Sequence, residues 1–494
     1  MNRSIRVTKT TSGARAVQVV EYRQRKVHIC KHIGSAHSDQ ELKRLQHTAR
    51  AWILTHPPQA QLIPTRTDAS RFLLEEFEYR GIHYAYAYEF LHRLCDHFGF
   101  CAFGDNILTD LVIMRIFEPA SKLRSLTLLS KHFSITHTEL TLYRHLRTFP
   151  SLKQKVEEKI VAIAKNEFSF DFSFVLYDVT TLYFETFKSD DLRKPGFSKD
   201  NKSQQPQIVI GLMVTPQGFP VSYEVFAGNT FEGTTFLPSI LAFKSLHQIE
   251  TLTIVADAAM LSLDNMQKLT EHGLTYIVGA RLGNIKAGLL HTIDSELERV
   301  DQKTMRAETP HGTLVCGFSK KRYSKDLSEM NKQIEKAKRQ VDTPGKMRRA
   351  KFVSAEGGTV SLNEGLIADR KKLLGVKGYY TNLKSVSDVD IIAHYHSLWH
   401  VEQAFRVAKS DIASRPIFHH KVDSIKAHML ICVMALAISK YIEIKSNQSI
   451  RSVLDLCRTV TDAILVHRTT GEVTVMRSKI PVEMLGVEKK CSTK

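Results

Sequence analysis

Three carboxylates stand where a carboxylate is costly. Asp178 in FSFVLYDVTTLYFE and Asp257 in TLTIVADAAML each close an apolar run that reads as a buried strand, and Glu402 reads as mid-helix in YHSLWHVEQAFRVAK. A buried carboxylate forfeits several kcal/mol of hydration unless positive charge meets it, and a shared divalent metal would meet all three. Asp178 alternates with Phe172, Phe174 and Leu176, and Asp257 with Thr253 and Val255, so each shares a face with neighbours from its own strand. In an open α/β sheet, sites form where strand ends bring such side chains together. Taken singly, either Asp reads first as a structural acid satisfied by backbone N–H groups.

The helix adds a pattern. Tyr395, Glu402 and Lys409 follow at intervals of seven, which on a continuous helix drift by only about 20° per step. Trp399 and Arg406 lie beside that stripe. An acid flanked by a phenol, an ammonium and a guanidinium suits a metal-bound phosphodiester, the acid holding metal and Tyr395, Arg406 and Lys409 gripping phosphates, with Trp399 beside them. The competing reading is a surface Glu402–Arg406 pair worth a few tenths of a kcal/mol, and residue types alone leave the two level. His396 and His400 have no H-E-x-x-H and no third ligand at sensible spacing, which argues against zinc. With no P-loop, no G-x-G-x-x-G after a strand and no G-x-S-x-G, the ATPase, dehydrogenase and α/β-hydrolase classes lack an entry point.

The elements that must position these groups point to an α/β fold: a ribonuclease H-like catalytic core with an inserted β-rich domain, preceded by an N-terminal β plus helical region. Residues 1–83 alternate as β-strands before turning helical. Residues 84–165 read as amphipathic helices bearing Arg115, Lys122, Arg124, Arg144 and Arg147, either a DNA-binding module or a plain bundle. Residues 166–281 carry strand signals in close succession, with a hairpin over Pro216-Gln217-Gly218 and a helix closed by Gly273. Three strands followed by β-α-β is the ribonuclease H-like pattern. Residues 282–385 form the basic insertion, read as having its own small sheet. Residues 386–445 resume the core, with the Glu402 helix running from about Val386 to Asp411, Pro416 barring its continuation, and an apolar core helix after it. Residues 446–494 offer a further helix and a basic tail.

Composition bounds the class. The 494 residues are 43% hydrophobic and carry a formal charge of +18, as a globular protein with a polyanionic partner would. Between Lys320 and Lys351 there are 12 Lys or Arg against 4 Asp or Glu, which reads as a solvated helix or a phosphate-binding face. Seven scattered cysteines without a C-x-x-C pair favour a reducing compartment over a disulfide or zinc frame. No secretory signal is visible and the apolar run Met429–Ile438 is too short for a bilayer, so a cytoplasmic protein with no membrane partner is expected.

YHSLWHVEQAFRVAKS, followed by RPIFHHKVDSIKAHMLICVMAL, resembles the glutamate region of bacterial insertion-sequence transposases of the DDE class, in the group with a β-strand insertion. That group's signature is Tyr, two residues, Arg, three residues, Glu, six residues, Lys. Tyr395, Glu402 and Lys409 match it, and Leu398 stands where the arginine is expected. YDVTTLYFE, the GFSKDNKSQQPQIVIGLMVTPQGFPVSYEVFAGNTFEGTT block, VADAAMLS, IVGARL, GYYTNL and RIFEPASKL extend the resemblance over most of the chain, although VADAAML lacks the Arg and second Asp of some relatives. The resemblance implies that Asp178, Asp257 and Glu402 bind two Mg²⁺ ions, with Mn²⁺ as a substitute, for attack first by water and then by a DNA 3′-hydroxyl. It also implies terminal inverted repeats and target DNA as partners, a homodimer that joins the two ends, and a bacterial cytoplasmic setting. A ribonuclease H-like nuclease without strand transfer is the second reading. A transposase-derived DNA-binding protein is the third, and it would be expected to have lost an acid.

Overall fold

The computed structural model describes residues 3–492 except 11–12, 24–25, 56–75, 198–203, 259–262, 311, 343–350 and 357–358. The SKDNKS stretch, the end of VADAAMLS and three cations of the basic run, Lys346, Arg348 and Arg349, lie outside the described residues. The chain begins with β1 (Arg3–Lys9), β2 (Arg15–Arg23), β3 (Lys26–Ala36), α1 (Asp39–Thr55) and β4 (Phe77–His83). Five helices follow: α2 (Ala85–His97), α3 (Asn106–Phe117), α4 (Lys122–Phe133), α5 (Glu139–Leu146) and α6 (Lys153–Phe168). Then come β5 (Phe174–Tyr183), β6 (Gln207–Val214), β7 (Pro220–Ala227), α7 (Glu232–Leu246), β8 (Thr253–Ala256), α8 (Leu263–Glu271) and β9 (Thr275–Ala280). The insertion holds α9 (Ala287–Glu296), β10 (Thr304–Thr309), β11 (Gly312–Phe318), α10 (Lys320–Asp342), β12 (Val353–Glu356), β13 (Thr359–Leu362), α11 (Glu364–Lys372) and β14 (Val376–Thr381). The chain closes with α12 (Asp388–His396), α13 (Trp399–Ser410), α14 (Val422–Ser446), α15 (Ile450–Thr459), β15 (Asp462–His467), β16 (Val473–Arg477) and α16 (Val482–Cys491).

Two compact units result, one comprising Met1–Leu91, Thr127–Thr136 and Ser452–Ser492, the other His92–Leu126, His137–Arg451 and Thr493–Lys494. In the first, β1-β2-β3 form an antiparallel meander, and Val17 and Val19 pack with Ala49, Leu45 and Trp52 of α1. A second sheet of order β16-β15-β4 joins the C-terminal strands to β4 across almost the whole sequence. Those strands are absent from the sequence reading, because VTDAILVH and EVTVMR are short and find their pairing partner far upstream.

The second unit is built on an eight-stranded sheet of order β10-β11-β14-β9-β8-β5-β6-β7. Strands β7-β6-β5 are antiparallel and β5-β8-β9 parallel, with α7 and α8 in the connections, which is the ribonuclease H-like order. Thr215 and Phe219 close the β6–β7 hairpin, Gly218 taking φ +84° after Pro216-Gln217 as the turn requires. The expected separate sheet of the insertion exists only as the β12–β13 hairpin. Strands β10, β11 and β14 instead extend the core sheet, β14 pairing antiparallel with β9 and covering an edge that would otherwise expose unpaired backbone groups.

Helix α7 covers one face, where Tyr177 donates its hydroxyl to Thr235 Oγ1 at 3.3 Å. On the other face Phe174 stacks on His394 of α12, and Thr180 and Leu182 meet Phe405 of α13 and Met429 of α14. By composition α14 could cross a membrane, yet 78% of its apolar stretch is buried inside the protein, so its Met and Leu residues are core. Among the helical basic residues, Arg124, Arg144 and Arg147 are exposed, whereas Arg115 and Lys122 are each only 4% exposed. Those two do not form part of a surface.

Candidate active site

Asp178 and Asp257 meet at one level of the sheet. Strand β5 pairs with β8 in parallel register up to Tyr177 opposite Ala256, so Asp178 and Asp257 are the next residues on neighbouring strands. Parallel strands run about 4.8 Å apart, and residues in register point to the same face. Asp178 is the fifth of ten strand residues rather than the last, because Val179–Leu182 stay buried and carry β5 onward. Phe172, counted in its alternation, precedes the strand with φ +65°. Asp257 sits one residue beyond β8, as the sequence indicated. Asp178 is half-buried and accepts the Val179 N–H at 2.8 Å; Asp257 is exposed and accepts the Ala258 N–H at 2.6 Å.

The same level continues into β9 and β14. Gly279 and Tyr379 stand in register there. A Cβ on Gly279 would lie 2.5 Å from the Tyr395 hydroxyl, so the missing side chain is what admits Tyr395. Tyr395 donates to Asp257 Oδ1 at 3.2 Å, its ring 4.7 Å from that of Tyr379. Burial and then the Asp257 charge hold its hydroxyl far above the usual phenol range, so it remains a donor.

The single helix from Val386 to Asp411 is two helices. At Ser397-Leu398 the backbone tightens into i→i+3 bonds, Leu398 N–H to Tyr395 O at 3.1 Å and Val401 N–H to Leu398 O at 3.2 Å. Tyr395 therefore lies in the last turn of α12 and Glu402 in the first turn of α13, not mid-helix, so the seven-residue stripe is not carried by one regular helix. Buried Leu398 fills the turn. Glu402, Trp399 and Arg406 are exposed, and Trp399 stacks on His400 at 3.8 Å. Lys409 lies farther along, beside Thr180 and Leu182. Among the described residues no group of three or more His, Cys, Asp or Glu side chains is gathered closely enough to hold a metal ion.

A family model described as the transposase DDE domain matches residues 169–438, more than half of the chain. The chain belongs to that family. No curated protein matches it. A cryo-EM structure of a piggyBac transposase synaptic complex with hairpin DNA is similar over 83% of this chain and 80% of that one, at 8% identity and a TM-score of 0.35, a likeness too slight to assign anything here. The matched residues of this transposase DDE domain include all three acids and Tyr395, Trp399, Arg406 and Lys409.

One group of this DDE domain escaped the sequence reading. Lys377 of β14 places its ammonium 4.5 Å from the Tyr395 ring centre and 5.6 Å from that of Tyr379. Burial and the nearby Arg322 lower its pKa, while Asp257 and Glu402 pull it back up, which puts Lys377 within electrostatic reach of two of the acids. A cleft of about 430 Å³ opens beside Asp257 and Tyr395, with Arg322, Lys351, Arg370 and Lys377 in its walls. The basic run Lys320–Lys351 thus contributes Arg322 and Lys351 to the cleft beside Asp257. The available signal was a lysine directly before Gly378 in an otherwise apolar, aromatic strand, VKGYYT.

Proposed function

We propose that this transposase cleaves DNA strands at the inverted-repeat ends of an insertion sequence and joins them to a target, with Asp178, Asp257 and Glu402 as the metal-binding acids. The observation that carries the reading is the shared level of the sheet, where Asp178 and Asp257 stand side by side and Tyr395 is hydrogen-bonded to Asp257. Three carboxylates are hard oxygen donors and suit Mg²⁺ or Mn²⁺ in kind. Bound there, two such ions would make one oxygen nucleophilic and stabilise the one that leaves. Asp257 and Glu402 are exposed, so their side chains can turn toward a cation without unpacking the core. Tyr395 orients Asp257, and Lys377, Arg322 and Arg370 offer positive charge to the phosphates where Leu398 has none to give. Arg406 and Trp399 present a guanidinium and an indole at the solvent side of α13 for the DNA strand.

The test incubates the full chain with end-containing duplex and Mg²⁺ and follows both cutting and joining. Asp178→Ala, Asp257→Ala and Glu402→Ala should each abolish both. Persistent cutting by any of the three would remove that residue from the site, and cutting without joining would favour the nuclease reading.

A further inference from the structure

Two sequence blocks with no assigned role, RIFEPASKL and RPIFHH, come together around one cavity of about 230 Å³ in the same unit as the acids. Its walls include Arg115 and Lys122 from the first block and Arg415, His419 and, farther along, His428 from the second region.

Arg115 and Lys122 are buried, and neither has an acidic partner among the described residues. Lys122 is 4% exposed, and its one hydrogen-bond partner among the described residues is His428 Nδ1 at 3.4 Å. His428 Nε2 faces the Ser414 carbonyl at 3.1 Å, and because a carbonyl only accepts, that nitrogen carries the proton and Nδ1 is left to accept from the ammonium. The imidazole is therefore neutral and offers no counter-charge, and burial together with the charge of Arg115 pushes the Lys122 pKa well below the usual lysine range. Arg115, also 4% exposed, donates to the carbonyls of Ala120 at 2.7 Å and Ala413 at 3.3 Å. No Asp or Glu is among the described residues lining the cavity. Other shielded lysines in this unit behave differently: Lys440 is paired with Glu443 at 2.9 Å, and Lys153 bridges Glu157 and Glu224. Burying positive charge without a counter-charge is among the most costly arrangements available to a protein, and an anion in the cavity would relieve it. The first turn of α4, with the Ser121 hydroxyl accepting the Arg124 N–H, lies on the same wall and adds its positive end.

We propose that this cavity is a phosphate-binding site, separate from the carboxylates, that takes a backbone phosphate of a DNA strand held by the same unit. The DNA source rests on the proposed function; the phosphate chemistry does not. Arg115 and Arg415 supply guanidinium forks and Lys122 a point charge, the donor set that phosphate oxygens accept best.

Thermal melting of the full chain in inorganic phosphate against chloride at matched ionic strength tests the site. The wild type should melt higher in phosphate, and Lys122→Met should remove that rise while melting higher than the wild type in chloride. Arg415→Gln, a milder change in the cavity wall, should reduce the phosphate-dependent rise if Lys122→Met does not fold. A wild-type melting point indifferent to phosphate, or a rise that both variants retain, overturns the site. Duplex DNA titrated over a range of salt then separates the sources. A backbone phosphate predicts that Lys122→Met lowers the slope of log affinity against log salt by about one, uniformly across sequences. An unchanged slope with the phosphate response intact assigns the cavity to free phosphate instead and overturns the DNA source alone.

Discussion

The acid level of the sheet and the basic cavity of RIFEPASKL place like charges together in opposite ways. Asp178 and Asp257 follow each other on adjacent strands, one half-buried and the other exposed, so water shares the cost of their repulsion. Arg115 and Lys122 are buried, and burial together with the Arg115 charge drives the Lys122 pKa down. The exposed pair can therefore rearrange freely, whereas the buried one is held in place by its packing. Removing charge should separate activity from stability at the first and join them at the second.

The largest expected contrast is between Glu402→Ala, which should lose cutting while changing stability by no more than about 0.5 kcal/mol, as exposed substitutions do, and Lys122→Met. Replacing a whole buried ion pair or triad by apolar residues is neutral or stabilises by about 1–4 kcal/mol, and denaturant unfolding in chloride should show a gain at the low end of that range for the single change Lys122→Met. A loss of stability at Glu402 as large as the gain at Lys122 would break the comparison.

The cavity also sets a pH dependence. Burial first, then the charges of Lys122, Arg115 and His420, lower the pKa of His419 from 6.5 to about 4. The unfolded chain therefore binds the extra proton between those values, and stability present above pH 6.5 is lost as pH falls toward 4. Melting curves across that window should show the decline, reduced in His419→Gln and reduced also by bound phosphate, which would let the imidazole charge.

At the acid level, Tyr395→Phe removes the donor to Asp257 but keeps the ring against Tyr379 and Lys377. Loss of an orienting partner of a metal ligand typically costs about 10–100-fold, and the cutting rate should fall within that range while melting stays close to wild type. An unchanged rate would leave Tyr395 as core packing alone. The smallest effect is expected of Lys377→Met, a decrease of about one in the salt slope of DNA binding with cutting retained on saturating DNA.

Much of this was legible in the residues because local pattern decided it. The β6–β7 turn follows from Pro216-Gln217-Gly218, the strand ahead of Asp257 from TLTIVA, and the buried α14 from its unbroken apolar sequence. Long-range pairing was not legible. Strand β14 completes the sheet beside β9, which brings Lys377 and Tyr379 to the acids, and the local sequence VKGYYT does not encode its neighbour. The break at Ser397-Leu398 was missed because both residues keep right-handed helical backbone angles and only the hydrogen-bond pattern tightens. Arg115 and Lys122 read as surface cations because charge normally stays in water, and nothing short of packing reveals that these two do not.

Replacing Mg²⁺ by Fe²⁺ with ascorbate and peroxide, and mapping where hydroxyl radicals cut the full chain, would test most directly whether the three acids share a metal. Cuts should cluster around residues 178, 257 and 402 together and vanish in Asp257→Ala. Cuts confined to one of the three segments, or a pattern unchanged in Asp257→Ala, would contradict a shared site.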